Sequence, residues 1–251
     1  MRRAARLRLA VTVVVAVAGA SAVAVVAAAA LTGGVETLAI ADDRVQDLSA
    51  EVVEPAPSPV AGSSRSSGVD PDWVLRSAER TGIPGVAVRA YADAALTLAS
   101  EQPACHVGWT TLAGIATVES DHGRHGGGDV DEHGRTSVPI VGPALDGSPG
   151  LAAIPADAAS TARHGDPVWD HAVGPFQFIG STWERWGTDG DGDGIEDPHD
   201  LDDAALAAAR YLCASGEDLR TGPGWSRAIH SYNHSDEYVL AVLAAAESVA
   251  R

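Results

Sequence analysis

Four arginines among the first eight residues are followed by an uncharged run from Leu9 to Leu31, and this pair of features constrains everything after it. Some 23 apolar residues can cross a hydrocarbon core of ~30 Å, with Arg2, Arg3, Arg6 and Arg8 left on the cytoplasmic side. A secretory signal has a shorter apolar region, ~7–15 residues, ahead of a small-residue cleavage site. The length of the run favours a retained anchor over residues 1–31, while its alanine content leaves cleavage near Ala28 to Ala30 open. On either reading the rest of the chain folds outside the cytoplasm, anchored to the cell membrane or secreted.

Export decides how the two cysteines are read. In an oxidising compartment Cys105 and Cys213 are expected to form a disulfide in preference to two buried thiols. Charge excludes a further class: 34 acidic residues stand against 17 basic ones, all arginine, for a net −17. A nucleic-acid partner needs a basic face, so none is expected.

Residues 32–69 read as a flexible linker, because the stretch EPAPSPVAGSSRSSG is rich in Pro, Ser and Gly and lacks apolar periodicity. Residues 70–251 read as one mostly α-helical domain. Asp70-Pro71-Asp72 supplies an N-cap, a first-turn proline and a first-turn acid, predicting a helix that stops at Gly82. A second helix is expected from 84 to 100 and a third from about 107, with Gly123 as its stop. Residues 126–173 have many Gly, Pro and Asp and no helical period, so they read as long loops with a small β-element. Ser181-Thr182-Trp183-Glu184 has the form of a capping box, and helices are expected over 202–215, 225–232 and 235–250.

On the third helix Trp109, Leu112, Ile115, Ala116 and Glu119 share one face, so Glu119 points toward apolar surroundings near the helix end. Burial disfavours the charged form of a carboxyl group and raises its pKa. An acid still protonated near neutral pH can protonate a glycosidic oxygen. The alternative is a structural Glu, capping a neighbouring helix or pairing with Arg124.

Three strings bear on that choice. Gly114-Ile115-Ala116-Thr117-Val118-Glu119-Ser120 resembles the Glu-Ser motif of lytic transglycosylases with the lysozyme-like, SLT-type fold. Gly174-Pro175-Phe176-Gln177 with Ser181-Thr182-Trp183 resembles their Gly-x-x-Gln segment, and Ser231-Tyr232-Asn233 resembles their Ala-Tyr-Asn motif. The three occur in the family's order, and the B-type membrane-bound enzymes and their actinobacterial forms look most similar. The resemblance implies a peptidoglycan lytic transglycosylase that cleaves between N-acetylmuramic acid and N-acetylglucosamine, with glycan strands as its partner and no cofactor in catalysis. It makes Glu119 the single acid and base. Ser120 would orient the site or its substrate, Gln177 would hold sugar groups, Tyr232 would hydrogen-bond near Glu119, and Asn233 would support them.

No motif places a second carboxylate. Asp121, Asp129, Asp131, Glu132 and Asp170 read as solvated loop charges. The rivals are a hydrolytic muramidase of similar fold and a non-catalytic wall-binding protein. Trp169, in the loop before Gly174, is the tryptophan expected to face a sugar. The histidines show no metal-ligand spacing.

A separate acidic loop has the spacing of an EF-hand: Asp189, Asp191, Asp193, Asp197 and Asp200, with Gly194 at position six and the Ile195 carbonyl at seven. Oxygen ligands in this order suit a structural Ca²⁺, with Asp200 a shorter arm than the usual Glu.

Overall fold

A computed structural model describes residues 68–251 as eight α-helices and one small two-stranded sheet. The expected anchor over 1–31 and nearly all of the linker over 32–69 lie outside the described residues. Among the described residues no helix is long and apolar enough to cross a membrane. The linker reading needs correction at its end: Gly68 donates its N–H to Asp93 Oδ1 at 3.0 Å, and Val69 is buried in the core.

Helix α1 (Pro71–Thr81) begins as the sequence requires, with Asp70 accepting from the Asp72 N–H and Gly82 closing it in the left-handed region. Helix α2 (Gly85–Glu101) follows directly, and α3 (Trp109–Ser120) comes after a short connection. Helix α3 is buried on nearly every side, from Trp109 through Ala116, so the one-sided apolar face is too weak a description. A helix apolar all round sits at the centre of a fold. It packs along the last helix, α8 (Asp236–Ala250), while α6 (Leu201–Gly216) packs chiefly against α2 and α7 (Gly222–Tyr232), all within one shared core. Gly114 makes the α3–α8 approach possible: a Cβ there would lie 2.9 Å from the Val242 carbonyl oxygen and 3.1 Å from the Ala246 nitrogen.

Two ties hold α6 in place. Cys105 and Cys213 are disulfide-bonded, joining the approach to α3 to the far half of α6 across 108 residues. Arg89 on α2 grips the buried Asp202 with two hydrogen bonds, 3.0 and 2.7 Å.

The segment after α3 contains the small β-element, β1 (Val141–Ala144) antiparallel to β2 (His171–Val173), with Val141 opposite Val173. It also contains a helix that the glycine and proline content conceals, α4 (Ala158–His164). A reciprocal capping box belongs to this helix: Asp157 accepts from the Ser160 N–H, and Ser160 accepts from the Asp157 N–H. The Ser181 capping box is not formed. Helix α5 (Gly180–Trp186) has its N-cap two residues earlier, at Ile179, which supplies no side-chain cap. Its first N–H, that of Gly180, is taken instead by buried Asp170 at 2.9 Å.

Candidate active site

Glu119 lies on the last turn of α3, and its carboxylate meets a phenol from α8: Tyr238 Oη donates to Glu119 Oε1 at 2.5 Å. The surrounding protein strips water from the carboxyl group and raises its pKa to about 7, with the Tyr238 hydrogen bond opposing that rise. The tyrosine is pushed the other way. Burial first, then the charge of Glu119, hold the Tyr238 hydroxyl well above its usual range, so it stays a donor. The Glu119 carboxyl can therefore be protonated or ionised near neutrality while its partner remains fixed.

Tyr232 stands beside this pair with its ring parallel to Tyr238, centroids 6.5 Å apart. Its hydroxyl donates to the Phe176 carbonyl oxygen at 2.8 Å, so the hydrogen bond expected near Glu119 comes from Tyr238. Sequence reasoning missed Tyr238, which sits in no motif and reaches Glu119 only through the α3–α8 packing.

Ser120 is buried and works inside the protein. Its hydroxyl donates to the Pro175 carbonyl oxygen at 2.7 Å and accepts from the Gly123 N–H at 2.8 Å. That ties the end of α3 to the 174–178 turn, and orienting the site is the part of its expected role the geometry can serve. Asp121 and His122 both take left-handed backbone to reverse the chain after Ser120, and Asp121 closes α3 where Gly123 was expected. His122 is buried, with Nδ1 3.1 Å from Tyr91 Oη and Nε2 3.2 Å from Thr117 Oγ1. Burial lowers its pKa to about 4, so the ring is neutral.

The turn that follows β2 is closed by Val173 and Phe178 exchanging backbone hydrogen bonds. Gly174 is left-handed, and a Cβ there would run into the Pro198 carbonyl. Gln177 also has positive φ, 50°, which costs a non-glycine residue on the order of 1–3 kcal/mol. Its Nε2 donates to the Gly174 carbonyl oxygen at 3.0 Å, and its Oε1 lies over Gly142 of β1. Asn233 caps α7 through its backbone N–H to the Ile229 carbonyl oxygen. The three motif segments are thus brought together: Ser120 bonds Pro175, Tyr232 bonds Phe176, and Tyr238 stacks on Tyr232 while bonding Glu119.

Trp169 is partly exposed in the bend before β2, its backbone bridged to Pro155. Trp109, Trp183 and Trp225 are core residues. The loop acids are engaged elsewhere. Asp121 pairs with Arg124 at 2.8 Å, removing that arginine as a partner for Glu119. Asp131 accepts from the His133 and Arg135 N–H groups, Asp129 from Val130, and Glu132 lies exposed beside His133. Asp170 is corrected from a solvated charge to a buried one, accepting from His164, the His171 N–H and the Gly180 N–H.

The acidic loop divides in two. Asp189, Asp191 and Asp203 bring one carboxylate oxygen each within 4.8 Å of one another. Asp193, Asp197 and Asp200 instead face Arg135, at 2.5, 3.9 and 3.7 Å. Asp200 also N-caps α6, its Oδ1 accepting from the Asp202 N–H, while its Oδ2 is buried with no hydrogen-bond partner. Ile195 is exposed, and its N–H goes to Asp193. Asp203 was not foreseen. It is buried on the first turn of α6, turned back toward the loop to accept from the Gly190 and Asp197 N–H groups, and burial raises its pKa to about 7. Three converging carboxylates, one of them buried at a cost in desolvation, are a donor set fitted to a hard cation.

No curated protein matches the sequence. Among solved structures, the Escherichia coli lytic transglycosylase Slt35 in complex with bulgecin A is similar at 18% identity and a TM-score of 0.41, covering 81% of this chain and 83% of that one. A 36 kDa muramidase/transglycosylase is similar at 16% identity and the same TM-score of 0.41, covering 83% and 94%. Both overlaps are loose, and the assignment rests on sequence: residues 161–226, from α4 into α7, match the Transglycosylase SLT domain family. That match supports an enzyme, a peptidoglycan lytic transglycosylase.

Proposed function

We propose that the chain cleaves the bond between N-acetylmuramic acid and N-acetylglucosamine in peptidoglycan strands, with Glu119 as the single acid and base. The observation that carries this reading is the Glu119 carboxyl, raised to about 7 by burial and held by Tyr238 where the three motif segments meet. In its protonated form Glu119 gives its proton to the bridging oxygen as the muramoyl C1–O bond breaks. The carboxylate left behind stabilises the positive charge developing at C1. It then removes the proton from the muramoyl 6-hydroxyl, whose oxygen bonds to C1 and closes a 1,6-anhydro ring. Glu119 ends protonated, and no water enters the product. On this reading Gln177, Trp169 and Asn233 meet the sugars, while Ser120 and Tyr232 hold the turn that presents Gln177.

The substrate also sets the compartment: residues 70–251 form the catalytic domain outside the cytoplasm, with 1–31 as its anchor or export signal and the linker carrying it to the wall. A structural Ca²⁺ is assigned to Asp189, Asp191 and Asp203, with no part in the reaction.

The full-length protein incubated with purified peptidoglycan and analysed by mass spectrometry tests the reaction. Products ending in 1,6-anhydromuramic acid are expected. Reducing ends heavier by one water would replace this mechanism with hydrolysis, and no products from folded protein would favour a wall-binding role.

A further inference from the structure

Two histidines outside the Glu119 site face one another in the inserted region, His164 on α4 and His171 on β2, with ring centroids 4.6 Å apart. Their partners give them different proton counts. His164 Nδ1 accepts from the Asp166 N–H at 3.2 Å, so its single ring proton sits on Nε2 and is donated to Asp170 Oδ1 at 3.1 Å. His171 meets acceptors at both nitrogens: the Gly142 carbonyl oxygen lies 2.8 Å from Nδ1, and Asp166 Oδ2 lies 3.1 Å from Nε2. A carbonyl oxygen can only accept. Asp166 is a carboxylate, held below the usual range by the Val168 N–H first and by His171 next. A neutral imidazole has one N–H and would set a lone pair against one of these acceptors. Only a ring with both protons satisfies the two contacts.

We propose that His171 is a positioning residue that acts as an imidazolium clamp, fixing β1 through Gly142 and the 166–169 bend through Asp166. The proposal rests on the glycan-cleaving reading for its consequence, because each arm carries a group assigned to the sugar. Gly142 lies under Gln177, so close that a Cβ there would be 2.8 Å from Gln177 Oε1. Asp166 Oδ1 accepts from the Val168 and Trp169 N–H groups at 2.8 and 3.3 Å, which sets the bend holding Trp169.

The other ionisable groups around the ring are accounted for. Asp170, next in the chain, spends its carboxylate on His164, the His171 N–H and the Gly180 N–H. On α4, Arg163 lies 4.0 Å from Glu184 of α5, and β1 contributes no titratable side chain. Loss of one His171 proton therefore releases either Gly142 or Asp166, and loosens one wall of the cleft.

The test is full-length protein labelled with ¹⁵N at histidine, read by long-range proton–nitrogen correlation. Near neutral pH the His171 nitrogens are expected to show the doubly protonated pattern, beside a neutral Nε2–H pattern for His164. His171→Gln keeps one donor and should raise KM for peptidoglycan strands about tenfold with little change in kcat, the size of one charge-assisted hydrogen bond. A single-proton His171 at neutral pH overturns the clamp, as does a folded His171→Gln variant with unchanged KM. If that variant does not fold, the wild-type spectrum decides alone. A protein that folds but cuts no glycan counts against the functional reading, while the ring's proton count is still read without substrate.

Discussion

Tyr238 and Glu119, 119 residues apart in sequence, share a hydrogen bond of 2.5 Å, and the bond sets the range over which the acid can work. Burial drives the Glu119 pKa upward and the phenol holds it back to about 7. Removing the phenol oxygen in Tyr238→Phe leaves burial unopposed. On the proposed mechanism cleavage requires protonated Glu119, so activity should fall as pH rises through its pKa. The alkaline limb of kcat/KM should therefore move to higher pH in the variant, by about one unit for a hydrogen bond to a charged group. A limb that stays in place would show that Tyr238 does not tune the acid.

Glu119 and its motif neighbours were legible because helical spacing and three ordered strings converge on them. Tyr238 was not, since nothing local in the last helix distinguishes a tyrosine that meets a carboxylate from one that fills the core. The same limit explains the helix starts. Asp70 caps α1 with its own side chain and could be read, whereas α5 begins where Asp170, ten residues earlier, reaches the Gly180 N–H. In the acidic loop the regular spacing pointed to Asp200. Its Oδ1 caps α6 while its Oδ2 is buried without a hydrogen-bond partner, and the helix brings Asp203, one turn on, back to the loop. Twelve-residue spacing cannot express a carboxylate supplied by the helix after the loop.

Glu119→Gln separates catalysis from folding. Cleavage should fall by at least about a thousandfold, the scale of losing an essential acid. Stability should change in the opposite direction, and only at higher pH. The carboxyl pKa is raised from an ordinary 4.5 to about 7 in the fold, so its contribution to stability is full below pH 4.5 and is lost as pH rises toward 7. At pH 8 the native protein carries an ionised, poorly solvated carboxylate that glutamine removes. Thermal melts should show the variant more stable at pH 8, by about 2–3 kcal/mol, with little difference at pH 4. Equal melts at pH 8 would mean that Glu119 is solvated.

The cation assignment predicts a selective mutational pattern. Calcium should raise the Tm of the full-length protein and a chelator should lower it, with ~2.7 kcal/mol of stabilisation at a hundred times Kd. Asp203→Asn should abolish the calcium response. Asp193→Asn should retain it, because Asp193 faces Arg135. A calcium response lost equally in both variants would restore the twelve-residue loop as the ligand set, and no response in the native protein would remove the ion.

The disulfide closes a long stretch of chain, so its loss should be felt mainly through the unfolded state. With Cys105 and Cys213 separated by 108 positions, chain entropy gives a contribution of roughly 4–5 kcal/mol. Reduction, or Cys105→Ser with Cys213→Ser, should lower the Tm of the protein while leaving the folded enzyme active below its melt. The bridge joins α6 to the chain before α3, and nothing in the Glu119 hydrogen bonding passes through it. A reduced protein that keeps its Tm would show that the unfolded chain is already compact between the two cysteines.

Gly114 offers a way to move the acid without touching it. In Gly114→Ala the added Cβ would lie 2.9 Å from the Val242 carbonyl oxygen and 3.1 Å from the Ala246 nitrogen, both backbone atoms of α8 with no flexible end to yield. The two helices must separate by a few tenths of an ångström, an overpacking cost of about 1–3 kcal/mol. Glu119 rides on one helix and Tyr238 on the other, so the same displacement stretches their hydrogen bond. Gly114→Ala should therefore lower stability and also shift the alkaline limb of kcat/KM in the direction expected for Tyr238→Phe, by a smaller amount. Combining the two substitutions should give no further shift in the limb, because the bond that Gly114→Ala weakens is already absent. Additive shifts would instead mean that the glycine acts on Glu119 through α3 alone, with the approach to α8 serving only to hold the helices together.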